Sequence, residues 1–155
     1  MLLPTIVVGY DGSANAHSAL EAAVDILAAD GVIHVVTAFD KPTDKEMDAI
    51  LEALPDEFRP GYDPLYGPRG YLEHAEAYLD RCEVNHRSHI ADEHPASAIL
   101  RVADDVGADL IVVGSRGLGR ARRILRGSVS SQIASHATTS FMVIQDQALD
   151  SGAAA

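Results

Sequence analysis

Two kinds of hydrophobic pattern alternate along this chain. Short apolar runs rich in Val, Ile and Leu predict buried strands, and stretches with an apolar residue every three or four positions predict amphipathic helices. The predicted strands span residues 5–9, 32–39, 82–90, 109–113 and 140–145. The first predicted helix begins at Ser13 or Asn15 and is closed by Gly31, and the others span residues 45–54, 71–79, 96–106 and 127–136.

Strands that alternate with helices in this way favour parallel pairing, with helices covering both faces of one sheet. The alternating residue types over 82–90 predict a strand at an exposed edge of that sheet. We expect a single domain over residues 1–147 and a disordered tail over 148–155. Residues 41–70 carry five of the seven prolines, and residues 59–69 are expected to form a loop. A lid over a ligand and simple surface packing remain two interpretations of this region.

Composition narrows the setting of the protein. The 155 residues include 23 acidic and 12 basic ones, and the net charge of -11 opposes binding to nucleic acid or to an anionic membrane surface. No apolar run is long enough to span a membrane, and the N-terminus lacks the features of a secretory signal. The single cysteine, Cys82, fits a reducing cytoplasm. An acidic chain with lysine only at positions 41 and 45 indicates either a halophilic source or codon bias in a GC-rich genome.

The most informative segment follows the fourth predicted strand and runs from Val112 to Ser130. Glycines at the carboxyl end of a buried strand let the backbone turn sharply and bring amide N–H groups close to a ligand. Gly127 and Ser128 stand where the next helix begins, so that its unpaired N–H groups and the positive end of its dipole face the same crevice. The sequence therefore predicts a phosphate-binding cradle.

Two widespread phosphate-binding loops do not match this segment. A Walker loop needs Gly-Lys followed by Ser or Thr, and the segment has no lysine. A dinucleotide fingerprint places its three glycines after the first strand of a unit. Here the glycines follow the fourth strand, and nine residues separate Gly117 from Gly127.

The spacing of Gly114, Gly117, Gly127 and Ser128 resembles the ATP-binding signature of the universal stress protein family. The resemblance extends over nearly the whole chain. Its other segments are residues 6–13 (IVVGYDGS), 94–96 (HPA) and 107–117 (GADLIVVGSRG). Each segment is weak alone, but their order along the chain is specific. One departure is Ser140-Phe141, where family members commonly have proline followed by valine.

The resemblance implies an α/β/α domain of the adenine nucleotide alpha hydrolase-like type. Its five-stranded parallel sheet would have the order 3-2-1-4-5, with ATP, with or without magnesium, across the carboxyl ends of strands 1 and 4. It also implies a homodimer through the last strand, Phe141 to Ile144, and a nucleotide-loaded regulatory module that acts in a stress response on an unidentified client protein.

The same resemblance assigns residues to the nucleotide. Tyr10 and Asp11 would lie at its ribose and adenine end, and Ala38 would offer backbone contacts to the base. The remaining assigned residues surround the ribose and phosphates and are Gly114, Ser115, Arg116, Gly117, Gly127, Ser128, Val129 and Ser130.

Structural explanations compete with several of these assignments. The glycines can form a tight strand-to-helix turn without a ligand, and Asp11 before Gly-Ser is also common turn and N-cap chemistry. Five arginines are concentrated in one loop, at positions 116, 120, 122, 123 and 126. They fit a triphosphate, a loop paired with the chain's own carboxylates, or a docking patch for a partner.

The seven histidines do not predict a metal site. His86 and His89 are three residues apart and so point to opposite faces of a strand, while His17 and His74 stand alone on their helices. Cys82 heads the third predicted strand without a visible base partner, so no catalytic role is assigned to it.

Two classes of function remain. We favour a nucleotide-loaded binding module over a slow ATPase or self-phosphorylating enzyme with Ser128 or Ser130 as acceptor. Phosphoryl transfer usually needs a metal and a group that orients water, and Asp11 is the one candidate that we can name for the latter.

Overall fold

The computed structural model describes residues 1–115 and 128–145, which alternate between strands and helices. The elements are β1 (Leu3–Gly9), α1 (Ala14–Ile26), β2 (Leu27–Phe39), α2 (Asp44–Ala53), α3 (Tyr66–Arg81), β3 (Asn85–Asp92), α4 (Pro95–Val106), β4 (Leu110–Gly114), α5 (Ser128–His136) and β5 (Ser140–Ile144). A short 3₁₀ turn, Arg59–Gly61, lies between α2 and α3.

The strands form one parallel sheet of order β3-β2-β1-β4-β5. This order confirms the expected fold, including the edge position of β3. Alternate residues of the central strands bury opposite faces: Ile6 and Val8 pack with α1 and α3, whereas Val7 packs with α4 and α5. Helices therefore cover both faces, which explains why β1 and β4 are apolar at nearly every position.

Helix α2 differs from the other helices in having no buried residue. Its N-terminus carries a capping box: the Thr43 hydroxyl accepts from the backbone N–H of Glu46, and the Glu46 carboxylate accepts from the backbone N–H of Thr43. The hydrogen bonds of the capping box therefore stabilise this helix, and no residue of it is buried in the core. None of the helices in residues 1–115 and 128–145 has the length and apolarity needed to cross a membrane.

The end of α1 corrects one prediction from the sequence. The helix stops at Ile26, and β2 begins at Leu27, well before Gly31. Leu27 pairs with Leu3 of β1. Residues 27–30, which the sequence places in the helix, therefore belong to β2. A Cβ at Gly31 would lie 2.7 Å from the Leu27 side chain and 2.9 Å from the Pro4 carbonyl oxygen. Gly31 is therefore required for close packing within the sheet, and it does not cap a helix.

The segment before β3 corrects two more predictions. Helix α3 begins at Tyr66 rather than Tyr71, so the expected loop over residues 59–69 is partly helical. Pro68 stands in the first turn of α3, where a missing N–H costs no helical hydrogen bond. Strand β3 begins at Asn85, because Cys82 ends α3 and Glu83 adopts a positive φ of 55°.

Candidate functional site

The carboxyl ends of β1 and β4 meet at the centre of the sheet, where Val8 pairs with Val112. After β1 the chain adds β2 on one side, and it later places β4 on the other side. The connections that leave β1 and β4 therefore diverge. In doubly wound sheets this divergence opens a crevice at the carboxyl edge, and ligands bind there.

The turn from β1 to α1 forms one wall of this crevice. The Oδ1 atom of Asp11 accepts a hydrogen bond of 2.9 Å from the backbone N–H of Ser13, and Ser13 in turn caps α1 by accepting from the N–H of Ala16. Gly12 lies between them with a φ of +78°. Asp11 therefore acts as a turn-forming residue in the structure, and it lies half-buried two residues beyond the end of β1.

Tyr10 supports this turn from inside the core. It is 3% exposed, its N–H donates to the carbonyl of Val36, and its own carbonyl accepts a 2.7 Å hydrogen bond from the hydroxyl of Thr37. Its phenol oxygen lies 2.9 Å from Nδ1 of His74. Burial, and then the negative charge of Asp11, raise the pKa of the Tyr10 phenol, so it remains a hydrogen-bond donor at neutral pH.

Ala38 lies near the end of β2, two residues beyond the last pair between β1 and β2, Gly9 with Val36. On its other side Ala38 pairs with Ala91 of β3. In the described residues the pairing with β1 does not reach Ala38, so the backbone of β2 continues past β1 at the carboxyl edge. This is the kind of position from which a main chain can contact a ligand.

Strand β4 ends in a close contact with α1. A Cβ at Gly114 would lie 2.8 Å from the backbone carbon of Asn15, so this glycine is required by packing. The N–H of the following residue, Ser115, donates to the carbonyl of Ile144 in β5. The end of β4 is therefore fixed by packing against α1 and by a hydrogen bond to β5.

The amino end of α5 supplies the described part of the predicted phosphate cradle. Ser128 is the first residue of the helix, Val129 packs against the apolar cluster on the α4 side of the sheet, and Ser130 is partly buried. Arg116, Gly117, Gly127 and the other four loop arginines lie outside the described residues.

Sequence reasoning missed a group of side chains between α1 and α3. His17 and His74 do not stand alone: their rings are 5.8 Å apart, and the His17 ring also meets Tyr78 edge-on at 4.9 Å. Burial, followed by Cys82, raises the pKa of Tyr78 to about 12. The order of the elements along the chain could have indicated this group, because α1 and α3 pack on the same face of the sheet and each carries a histidine, in the first turns of α1 and in the middle of α3.

A second histidine pair ties β2 to the edge strand β3. Nδ1 of the buried His34 lies 2.9 Å from Nε2 of His89, and the two rings stack at 5.1 Å.

Within residues 1–115 and 128–145, no three side chains of His, Cys, Asp or Glu are grouped as a metal site would need. Cys82 is exposed at the end of α3.

The protein is a doubly wound α/β domain, as its sheet order shows. In this class of fold, ligands bind at the carboxyl edge of the sheet, between the strands that correspond to β1 and β4. The model of the universal stress protein family matches residues 3–145, and the chain belongs to this family.

Relatives with known names and structures agree with this assignment. The chain is 29% identical over 146 residues to a universal stress protein of Mycobacterium tuberculosis, which covers 90% of this chain and 94% of the relative. A universal stress protein solved in complex with cAMP is 27% identical, with a TM-score of 0.64 and coverage of 93% of this chain and 98% of that one. The structure of the hypothetical protein MJ0577 has a TM-score of 0.73 at 20% identity, with coverage of 95% and 99%, and so shares the fold.

Proposed function

We propose that this protein binds an adenine nucleotide in the crevice between β1 and β4 and acts as a nucleotide-loaded regulatory module. ATP, with or without magnesium, is the form that the glycine spacing favours. The observation that carries the proposal is the similarity, over 93% of the chain, to a universal stress protein that was solved with cAMP. We further propose that the loaded state is recognised by a client protein in the cytoplasm.

The residues around the crevice offer hydrogen-bond donors and acceptors that match an adenine nucleotide. The first N–H groups of α5, from Ser128 onwards, would receive phosphate oxygens, because a helix N-terminus offers donors without intrahelical partners. The Asp11 carboxylate would accept from ribose hydroxyls, and the backbone of Ala38 would pair with the edge of the base. Gly117 and Gly127 would complete the phosphate cradle with main-chain donors.

A binding role is favoured over catalysis by the state of Asp11. One oxygen of its carboxylate already accepts from Ser13, which holds the side chain in a turn-stabilising position. Phosphoryl transfer usually needs a group that orients the attacking water, and the turn-stabilising hydrogen bond from Ser13 makes Asp11 less suited to that role.

Mass spectrometry of the small molecules that the purified protein releases on denaturation tests the proposal. We expect an adenine nucleotide in a ratio near one per chain. ADP together with steady phosphate production under excess ATP and magnesium would instead support the slow-enzyme alternative. Release of no nucleotide, combined with no heat of binding for ATP, AMP or cAMP, would overturn the proposal.

Two variants of the same loop sharpen the test. Gly117→Leu places a bulky side chain within the glycine signature, and we expect it to weaken binding of ATP by at least about 100-fold, the loss expected when several main-chain hydrogen bonds to phosphate fail together. Gly119→Leu makes the same change two residues later, outside the signature, and should retain most of the affinity. Equal affinities for the two variants would show that the phosphates are held elsewhere.

The exposed edge of β5 supports a homodimer. Phe141 and Met142 are 41% and 37% exposed on this last strand, and large apolar side chains on an open sheet edge favour pairing with another chain. We propose that two copies associate through Phe141–Ile144. Phe141→Glu should then convert the dimer to a monomer in light scattering, whereas Ile90→Glu on the opposite edge strand, where the exposed fraction is 40%, should not. A dimer that tolerates Phe141→Glu but not Ile90→Glu would assign the interface to β3.

A further inference from the structure

Exposed tyrosine and phenylalanine side chains are concentrated in the segment that leads into α3. Phe58, Tyr62, Tyr66 and Tyr71 are exposed, and in the part of the chain that the structure describes the one other exposed residue of these two types is Phe141 on β5. A crossover helix runs back against the strands of a parallel sheet, so the amino end of α3 lies at the same carboxyl edge as the crevice. The first turns of α3, with Tyr66 and Tyr71, therefore lie at the edge where we propose that the nucleotide binds.

Tyr71 lies directly against the turn after β1. A Cβ at Gly12 would lie 2.5 Å from Cδ1 and 2.8 Å from Cε1 of Tyr71, so one edge of the ring packs on the glycine backbone. Gly12 follows Asp11, whose carboxylate we propose as an acceptor for the ribose hydroxyls. The tyrosine ring is therefore next to the turn that would hold the ribose.

The ring reaches this turn from the side of β2. Helix α3 packs on β2 and β3, whereas β4, with β5 and α5 beyond it, lies on the other side of β1. Ala38, which we propose to contact the base, is on β2, and Ser128, which we propose to contact phosphate, begins α5. Tyr71 is therefore on the side of the ribose position where the base would lie, away from the phosphates.

The surrounding residues fix this part of α3 without a ligand. Leu72 and Ala75 are buried in the core, and Nδ1 of His74 lies 2.9 Å from the phenol oxygen of Tyr10. Tyr71 itself is 37% exposed, so part of its ring is accessible to a ligand. A nucleobase that packs on a ring held in this way gains a stacking contact and orders few additional bonds.

We propose that Tyr71 is a specificity-determining residue of the nucleotide site and that the exposed surface of its ring contacts the base. The base then lies between this ring and the backbone of Ala38, while Asp11 holds the ribose. The contact favours ligands that carry a base over sugar phosphates that lack one. The inference rests on the proposed function, because it assigns a further residue to the same crevice.

Competition of AMP and of ribose 5-phosphate against ATP on the full chain tests this proposal. Ribose 5-phosphate has a hydroxyl in place of the base and is otherwise the same molecule as AMP. We expect Tyr71→Ala to weaken AMP by about tenfold to about 100-fold, the range for the loss of one base stacked on an aromatic side chain, and to leave ribose 5-phosphate unchanged. Tyr71→Phe keeps the ring and should keep the wild-type affinity for AMP.

Tyr66→Ala is the matched control, because this tyrosine begins the same helix and is 83% exposed. It should bind AMP as the wild type does. Equal losses for AMP and ribose 5-phosphate in Tyr71→Ala would show that the ring acts by shaping the turn and not by contact with the base, and would overturn the proposal. An unchanged affinity of Tyr71→Ala for AMP would also overturn it.

Photolabelling of the wild-type protein gives a second readout that does not depend on how a variant folds. The probe is 8-azidoadenosine triphosphate, which reacts from its base, and trypsin releases Tyr71 within residues 70–81 because arginines stand at positions 69 and 81. We expect fragmentation to locate the label on Tyr71, and excess ATP to suppress it. Labelling that ATP suppresses but that leaves Tyr71 unmodified would overturn this inference alone. The absence of any labelling that ATP suppresses, together with no heat of ATP binding, would overturn the proposed function and this inference with it.

Discussion

Gly114, the last residue of β4, lies against the backbone of Asn15 in the first turn of α1, and a Cβ on the glycine would be 2.8 Å from the Asn15 backbone carbon. The first glycine of the nucleotide signature therefore has a structural reason to be glycine that involves no ligand. At this position glycine alone is not a marker of phosphate binding, and the proposed placement of the phosphates depends on Gly117, Gly127 and the start of α5.

Gly114→Ala should destabilise the protein, because either β4 or α1 must shift to admit the methyl group. We expect a loss of about 1–3 kcal/mol in the free energy of unfolding, measured by urea denaturation. Gly70→Ala is the matched control: this glycine lies exposed within α3 with open space around it, and alanine there should stabilise the helix by up to about 1 kcal/mol. Similar effects at the two positions would contradict the packing at the end of β4.

Gly12 combines a backbone requirement with a steric one. Its φ of +78° is strained for any residue with a Cβ, and the Tyr71 ring occupies the space that a Cβ needs. Gly12→Ala should therefore cost about 1–3 kcal/mol, whereas Gly61→Ala, with nothing near its Cβ position, should be close to neutral. Thermal unfolding of both variants checks this. Full stability of Gly12→Ala would mean that the turn after β1 has a different backbone.

The His34–His89 pair should make the protein less stable in mild acid. Burial, followed by the nearby His89 and Arg87, lowers the pKa of His34, and burial, followed by Arg101 and Arg87, lowers that of His89. The unfolded chain then binds protons more readily than the folded one. The stability from this pair is complete above the unfolded pKa of about 6.5 and is lost as the pH falls towards the lower folded values.

Urea denaturation at about pH 7.5 and about pH 5 tests this dependence. The midpoint should drop at the lower pH in the wild type, and the drop should be smaller in His89→Gln, which removes one titrating group and keeps a hydrogen-bonding side chain next to His34. His86→Gln, the same change on the same strand, should leave the drop in place. Because acidification also changes the charge of the carboxylates, the comparison between variants decides the test, and a change of the midpoint in His89→Gln equal to that in the wild type would refute the assigned direction.

The acidic surface leads to a prediction about salt. With a net charge of -11, repulsion between carboxylates opposes the compact state, and added ions screen it. If the source is halophilic, the melting temperature should rise steadily as KCl is increased to about 2 M. Sucrose, which stabilises by exclusion without screening charge, serves as the control. Full stability in dilute buffer would favour codon bias as the explanation of the composition.

The sheet could be predicted from sequence because its strands are short, apolar and bounded by turn residues. Sequence alone predicts two buried strands from the apolar runs Ile6–Val8 and Leu110–Val113. Both runs are buried in the structure. The predicted end of the helix at Val106 is also confirmed, since the next residue, Gly107, adopts a left-handed φ of 62°.

The errors lie where tertiary contacts override local signals. Gly31 predicts the end of the first helix, but α1 ends at Ile26 because Leu27 pairs with Leu3 in the sheet. The prolines of residues 41–70, with Pro68 among them, accompany the predicted loop, but Pro68 lies in the first turn of α3, where its missing N–H costs no helical hydrogen bond. Local patterns do not encode which strand a segment will meet.

The site was only partly accessible from sequence for a related reason. The chain order shows that the turn containing Asp11 and the end of β4 meet at one edge of the sheet. It does not show that Tyr10 turns its side chain inward to His74, or that Tyr71 covers Gly12, because both contacts depend on the packing of α3 against α1 and β1.

Helix α2 buries none of its residues and is secured by the Thr43–Glu46 capping box. A segment attached in this way can tolerate insertions, deletions and chemical labels that the sheet would reject. A dye placed on its outer surface would leave the central strands undisturbed, which makes this helix a suitable position for a label that tests the proposed nucleotide binding and dimer in real time.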